Sequence, residues 1–325
     1  MVAFMPLVSV LMPVFNSEAF VGAAIESILA QTFTDFELVI VDDASQDGSA
    51  DVIRSYARRD ERIRFFPLEL NVGQADSRNQ AMALARGKYI AAMDSDDVSL
   101  PERLRKQVQY LEANPHIGAL GARFREVDQD LKPLRDQLTP LSHPLIVLNM
   151  FIGGGFILQS TLVTRREIVS SIGGYEPGRR KYDDLELHSR LLAESRIRYA
   201  NLPDILVLYR RHAGSVSVRA DLAKQSPPYQ DPTGKMLDSL WNRAPADTLS
   251  RFARMYRGQK LSWPQRRLAR RDLKRLIESM DDAGWIDAGD RPQLLTEVDR
   301  RLEQTTPRLW QMFCHWRRHH FGRSL

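Results

Sequence analysis

Residues 7–14 (LVSVLMPV) form a short apolar run rich in β-branched side chains, and the run ends at the turn-forming pair Asn16-Ser17. A continuous apolar run of that length, bounded by turn chemistry, predicts a buried strand. From Ser17 the period changes. Phe20, Val21, Ala24, Ile25, Ile28 and Leu29 recur at helical spacing, which predicts a helix with one apolar face. The alternation then repeats: Glu37 to Val41 predicts a second strand and residues 50–60 a second helix. Ile63 to Phe66 predicts a third strand, and Gln74 to Arg86 a third helix after the loop Asn71-Val72-Gly73. Tyr89 to Met93 predicts a fourth strand, closed by Asp94-Ser95-Asp96-Asp97. Such an alternation of strands and helices predicts a parallel, doubly wound α/β sheet.

After Pro101 the pattern predicts a helix over Glu102 to Ala113 and then a mixed region. That region holds a strand at Ser160 to Val163, a turn at Gly173-Gly174-Tyr175, a helix at about Asp183 to Glu194 and a strand at Ile205 to Tyr209. Pro227, Pro228 and Pro232 mark a linker, and residues 236–325 read as helical with Arg-rich faces. The expected organisation is a catalytic α/β domain over 1–225 and a basic, mainly helical extension over 226–325.

Composition adds few constraints. With 43% hydrophobic and 27% charged residues, the 325-residue chain is neither disordered nor a disulfide scaffold. Its single cysteine, Cys314, has no internal partner, which favours a reducing compartment. Met1 to Pro6 lacks a basic n-region, so no secretory signal is expected. The longest apolar stretch, Leu145 to Leu158, includes Asn149 and falls short of the roughly 20 residues a spanning helix needs. A cytoplasmic protein, or one resting on the inner face of the cell membrane, is expected.

Charge changes the picture more. The net +5 divides into +8 over residues 241–325 and −3 over the rest. A basic tail is either a solvated helical face or a surface for an anionic partner. Trp310, Phe313, Trp316 and Phe321 beside Arg317, Arg318 and Arg323 would suit an anionic membrane leaflet. Packing onto the catalytic domain, or within a homodimer, is the competing use. Nucleic acid is a poor partner: the tail has no regular aromatic-basic motif and the body is acidic.

The candidate chemistry lies after the strands. In open α/β sheets ligands bind outside the carboxyl ends of the strands. Pro13 to Asn16, Asp42-Asp43 and Asp94 to Asp97 therefore converge on one edge. Neither G-x-G-x-x-G nor G-x-x-x-x-G-K-[ST] follows the first strand, which argues against a dinucleotide oxidoreductase and a P-loop NTPase. Asp94, Asp96 and Asp97 crowd three carboxylates into four residues. Two charges about 5 Å apart repel by roughly 3 kcal/mol at an effective dielectric of 20. A divalent cation relieves that repulsion, and carboxylate oxygens suit Mg²⁺ or Mn²⁺. Helix capping by Asp97 or Ser99 is the plainer alternative.

Four segments taken in order, Pro13-Val14-Phe15-Asn16, VDDASQDGS (41–49), NVGQADSRN (71–79) and KYIAAMDSDD (88–97), resemble the motifs of family 2 glycosyltransferases of GT-A fold. The likeness runs over roughly residues 7–217. It implies an inverting transferase with an Asp-x-Asp motif and a metal cofactor. The resemblance assigns the Pro13–Asn16 segment to the donor, with Pro13, Phe15 and Asp43 at the nucleotide base. It assigns Asp94 or Asp96 to the ribose, and Asp96 or Asp97 to the metal on the diphosphate. Arg78 would add a positive charge near the nucleotide, or make a helix salt bridge.

Tyr182-Asp183-Asp184-Leu185-Glu186 through Arg190 resembles the family's Glu-Asp segment, with Asp183 in place of the Glu. That register makes Asp184 the general base and Asp183 the second candidate. Tyr209-Arg210-Arg211-His212 resembles the Tyr-Arg-x-His segment, whose His approaches the metal or the diphosphate, with Arg210 or Arg211 placed to meet phosphate. Gly153-Gly154-Gly155 suggests an acceptor loop or a tight turn. The expected reaction moves a sugar from a nucleoside-diphosphate donor, most often UDP-linked in the resembled family, to a hydroxyl of a saccharide or lipid-linked acceptor. Surface polysaccharide or glycolipid synthesis would be the setting. The alternative enzyme class is a sugar-phosphate nucleotidyltransferase, which would be expected to carry a Gly-rich loop and Lys near the first strand.

Overall fold

The buried runs of the amino-terminal half become parallel strands because each is apolar on both sides. In the computed structural model, which describes residues 5–152, 156–179, 182–215, 232–241, 244–245, 247–256 and 259–305, these are β1 (Val8–Val14), β2 (Phe36–Asp42), β3 (Ile63–Pro67) and β4 (Tyr89–Ala92). Between them lie α1 (Glu18–Leu29), α2 (Ser49–Ala57) and α3 (Gln74–Leu84). Val8 pairs with both Phe36 and Tyr89, so β1 sits between β2 and β4. Alternate residues of β1 then serve two cores. Val8, Val10, Met12 and Val14 pack with Val21, Ile25 and Ile28 of α1. Leu11, with Val39, Val41 and Ile90, packs against Ala81 of α3 on the opposite face. A strand with both faces covered cannot show the polar–apolar alternation of a half-exposed strand, hence the continuous runs.

After β4 come β5 (Val98–Ser99), α4 (Arg103–Ala113), β6 (Ile117–Val127), β7 (Pro133–Gln137), α5 (His143–Ile152), β8 (Val163–Arg165), α6 (Arg166–Ser171), α7 (Asp183–Ser195) and β9 (Arg198–Arg210). Among the described residues nine strands form one sheet in the order β3-β2-β1-β4-β8-β6-β9-β5, with β7 against β6. The β3-β2-β1-β4 part is parallel, whereas β8 is antiparallel to both β4 and β6. The sheet is therefore doubly wound at one end and mixed at the other, where β6 and β9 pair through several register shifts. The strand expected at Ser160 to Val163 starts only at Val163; Gln159–Thr161 is a 3₁₀ turn. Ser160 and Thr161 spend their hydroxyls on Asp94 and the Leu158 carbonyl, local bonds that compete with a ladder.

Chain contacts divide the molecule into residues 1–146 with 155–226, and residues 147–154 with 227–325. The second unit contains α8 (Pro232–Trp241), α9 (Thr248–Tyr256), α10 (Trp263–Asp282) and α11 (Arg291–Gln304). Its buried side chains include Leu237, Phe252, Leu273, Leu276, Ile277 and Val298. Ser262 and Gln265 close a capping box at the start of α10, with Pro264 in the first turn. Within that core Arg251 is buried against Asp272, and the Trp241 indole N–H donates to Ser279 Oγ at 3.1 Å. None of the described helices is long and apolar enough to cross a membrane. The aromatic and basic residues from Trp310 to Arg323 lie outside the described residues.

Candidate active site

The strand order reverses direction beside β1, so the crevice between the loops after β1 and β4 is the topological switch point. Short polar bonds join these loops. Asn16, at φ 49°, donates its N–H to Ser45 Oγ (2.9 Å) and accepts the Gln46 N–H on Oδ1 (2.8 Å). Asn is one of the few residues that tolerates this left-handed conformation. Ser17 gives its N–H to Ser49 Oγ (2.8 Å) and shares a hydroxyl bond with Ser95 (2.8 Å).

The donor-side residues separate by exposure. Pro13 is half-buried and Val14 lies in the core, while Phe15 is 48% exposed and Asn16 is exposed. Phe15 therefore offers a ring to the rim, and Val14 offers no side chain to it. Asp43 is buried, and its carboxylate accepts the N–H groups of Val72 (2.7 Å) and Gly73 (2.9 Å) and the Asn71 amide (3.0 Å). With about four acceptor positions on a carboxylate, three already shape the 71–73 loop.

The three aspartates after β4 have different surroundings. Asp94 accepts from Arg78 (2.8 Å) and from Ser160 Oγ (3.2 Å). Asp96 is half-buried, with Oδ2 3.1 Å from His212 Nε2. Asp97 has no exposed surface, and its Oδ1 accepts the Arg210 N–H at 2.9 Å. Burial and the charge of Asp94 push the Asp96 carboxyl up, with His212 opposing. Burial, then Asp96 and Asp94, push Asp97 well up. Beneath them lies Arg103, fully buried, which donates to the Ala92 carbonyl at 2.8 Å. Burial draws its guanidinium down to about 9, with Asp97 and Asp94 opposing, so it stays a cation at neutral pH.

His212 packs on the Phe20 ring with centroids 4.4 Å apart. The Gly214 N–H donates to Nδ1 at 3.2 Å, which leaves the ring proton on Nε2, facing Asp96. In this arrangement His212 orients Asp96 rather than presenting a lone pair. Arg210 is buried; its Nε donates to the Asp96 carbonyl (2.8 Å) and its Nη1 to the Gln129 carbonyl. It braces the loop and is not free for phosphate. Among the described residues no three acidic, His or Cys side chains form a ready-made metal cage. The crowded oxygens of the aspartate loop nevertheless suit Mg²⁺ or Mn²⁺, and Asp96 is the one with exposed surface and no guanidinium bound to it.

The acidic pair at the start of α7 is divided by Arg78. This buried residue of α3 donates Nη2 to Asp94 and Nη1 to Asp183, under the Tyr175 ring at 5.5 Å. Burial opposes its charge, but Asp183 and Asp94 outweigh that and raise its pKa. Asp183 is thus committed to an ion pair. Asp184 is half-buried, accepts the Leu185 N–H (2.8 Å), and is pushed up to about 6 by burial and Asp183, with Arg78 opposing. One guanidinium therefore ties the loop after β4 to the acid pair and leaves one acid available. Arg103, Ser160, Tyr175 and the Ser17–Ser95 bond carried no distinctive spacing in the sequence. Gly153 to Gly155 lie outside the described residues.

Comparison with known proteins agrees with this architecture. The family model "Glycosyl transferase family 2" matches residues 9–173. The O-antigen biosynthesis glycosyltransferase WbnJ of Escherichia coli is 31% identical over 217 residues, 66% of this chain and 83% of that protein. Coverage of relatives varies, and the chain spans only 46% of the length of one archaeal glycosyltransferase that is 41% identical over 133 residues. Among solved structures, Staphylococcus aureus TarS (residues 1–349, with UDP-GlcNAc) superposes with a TM-score of 0.57 at 16% identity, covering 92% of this chain and 90% of that one. The mannosyltransferase PcManGT of Pyrobaculum calidifontis, in complex with GDP-Man and Mn²⁺, gives 0.55 at 16% identity, covering 99% and 89%. At these identities the two structures establish a shared GT-A fold, and with the family model spanning half of its residues this chain belongs to glycosyltransferase family 2.

Proposed function

We propose that this glycosyltransferase moves a sugar, with inversion, from a nucleoside-diphosphate donor to a hydroxyl of a saccharide or lipid-linked acceptor during polysaccharide synthesis. UDP is the favoured nucleotide, on the family resemblance and the UDP-GlcNAc bound to TarS. The observation that carries the reading is the split acid pair: Asp183 is neutralised by Arg78, while Asp184 is half-buried and held near 6. A carboxylate with its pKa near working pH is well suited to accept a proton. In the proposed step Asp184 takes the acceptor hydroxyl proton and the acceptor oxygen forms a bond to the anomeric carbon. The bond from that carbon to the diphosphate breaks, and the diphosphate leaves with the electron pair. Phe15 and Asn16 would line the nucleotide side, with Pro13 and Asp43 setting the shape of its floor. A bound Mg²⁺ or Mn²⁺ would neutralise charge on the departing diphosphate. Asp96 would hold that ion, oriented by His212 and backed by Asp97 and Arg103, with diphosphate oxygens completing the shell.

Asp184→Asn is expected to lower transfer by at least the 10²–10⁴ typical of a lost general base while nucleotide-sugar binding stays close to wild type. Normal turnover in that variant would remove Asp184 from the mechanism. No observation favours nucleotidyl transfer over this reading.

A further inference from the structure

One helix face of the second unit has no role in the reading above. From Trp263 to Arg275, α10 carries six Arg or Lys and one carboxylate, Asp272, which is buried and paired with Arg251 and, on its other oxygen, with Arg271. Its apolar positions Leu273, Leu276, Ile277 and Met280 are buried. The opposite side exposes Arg267, Arg271, Lys274 and Arg275, and at its amino end Trp263 is 62% exposed. Positions 263, 267, 271 and 274 fall on one stripe at helical spacing, about 16 Å long at 1.5 Å per residue. The Arg267 guanidinium lies 5.7 Å from the Trp263 ring centroid. Beside the indole is a cavity of about 510 Å³ lined by Arg266, Arg267, Arg270, Asp299, Leu302 and Glu303. Arg266 Nε is buried there and has no hydrogen-bond partner among the described residues.

A lone exposed Trp is an unfavourable surface residue in water, and a row of cations repels itself. Both costs fall at a bilayer surface, where indole settles at headgroup level and each Lys or Arg is attracted to anionic lipid. We propose that this face of α10 is a docking surface for an anionic lipid bilayer, with Trp263 as interfacial anchor. The stripe runs straight along an exposed helix side, which suits an extended flat surface. The phosphate headgroup chemistry also suits Arg266 and Arg267 at the adjoining cavity. This inference concerns where the enzyme sits and stands apart from the assignment of Asp184.

The test is co-sedimentation of the full chain with vesicles of phosphatidylcholine alone or mixed with phosphatidylglycerol, at low and high salt. Binding to the mixed vesicles only, lost at high salt, is expected. Arg267→Gln with Arg271→Gln should weaken it roughly thirtyfold, from about fivefold per cation. Arg267→Gln with Lys274→Gln provides a second pair should the first fold poorly, and Trp263→Ala should weaken binding without altering its salt dependence. Turnover on a soluble acceptor should be unchanged in each. Unaltered vesicle binding in both double variants would overturn the proposal, as would equal binding to neutral vesicles. Binding of a soluble anionic polysaccharide in place of vesicles would overturn it in favour of an acceptor-polymer site.

Discussion

Asp183 and Asp184 are neighbours of the same chemical type, yet their surroundings differ. The Arg78 guanidinium is bound to Asp183, whereas burial and the Asp183 charge disfavour the ionised form of Asp184. A base held near 6 sheds its proton only as pH rises through that value, so kcat/KM should fall about tenfold per pH unit below it. The sign for stability is the reverse of the usual carboxylate case. Because the folded pKa lies above the ordinary 3.8, the ionised group destabilises the fold above about pH 6, and that penalty fades as pH falls towards 4. Asp184→Asn should therefore lose activity and gain roughly 1–3 kcal/mol of stability at pH 8, with the gain vanishing near pH 4. Denaturant melts at both pH values, beside a pH–rate profile, separate a lost base from a damaged fold. A variant less stable at pH 8 would argue that Asp184 has a structural partner.

At the scale of elements, Arg78 joins three pieces of backbone: its own α3, the loop after β4 through Asp94, and α7 through Asp183. Arg78→Met leaves two buried or half-buried carboxylates without their cation, and breaking such a pair typically costs about 3–5 kcal/mol. It also removes the charge that holds Asp184 down, so the acid limb of the rate profile should move to higher pH. A chemical melt and a pH profile on one variant check both; loss of stability with an unmoved limb would detach Arg78 from the base. Such links explain what the sequence could and could not reveal. Three of the parallel strands, β1, β2 and β4, were legible because burial on both faces makes them mostly apolar runs, and the half-buried edge strand β3 was legible by its place in the alternation. β6 was not, and β9 only in its second half, Ile205 to Tyr209: Gly118, Gly121, Arg123 and Arg125 interrupt one, Pro203 and Asp204 break the start of the other, and their pairing spans about 80 residues of chain. The aspartate cluster was visible, but the difference between Asp96 and Asp97 was not. The two sit at a turn in which the Asp97 N–H meets the Asp94 carbonyl, and only the tertiary structure decides which side chain faces in. Arg103 was hidden for a similar reason, since a cation in a helix ordinarily marks the solvent side.

At the scale of the whole molecule, the proposed donor would be met by loops far apart in sequence, those carrying Phe15 after β1, Asp43 after β2 and Asp96 after β4, with His212 after β9 orienting Asp96. A ligand that bridges such loops binds the folded chain and not the unfolded one, so it must raise the apparent stability. At about a hundred times its dissociation constant the gain is roughly 2.7 kcal/mol, or about 5–10 °C for a unit of this size. If Asp96 and a diphosphate share one cation, the shift with Mn²⁺ and UDP together should exceed the sum of the separate shifts, because each ligand completes the other's site. Asp96→Asn should abolish that excess and keep the smaller shift from UDP alone. His212→Ala should reduce it, since the imidazole orients Asp96. A thermal melt of the full chain against UDP, GDP and Mn²⁺ reads all of these at once. Equal, merely additive shifts in wild type and Asp96→Asn would mean that cation and nucleotide do not meet at this loop, and the metal would have to be sought away from it.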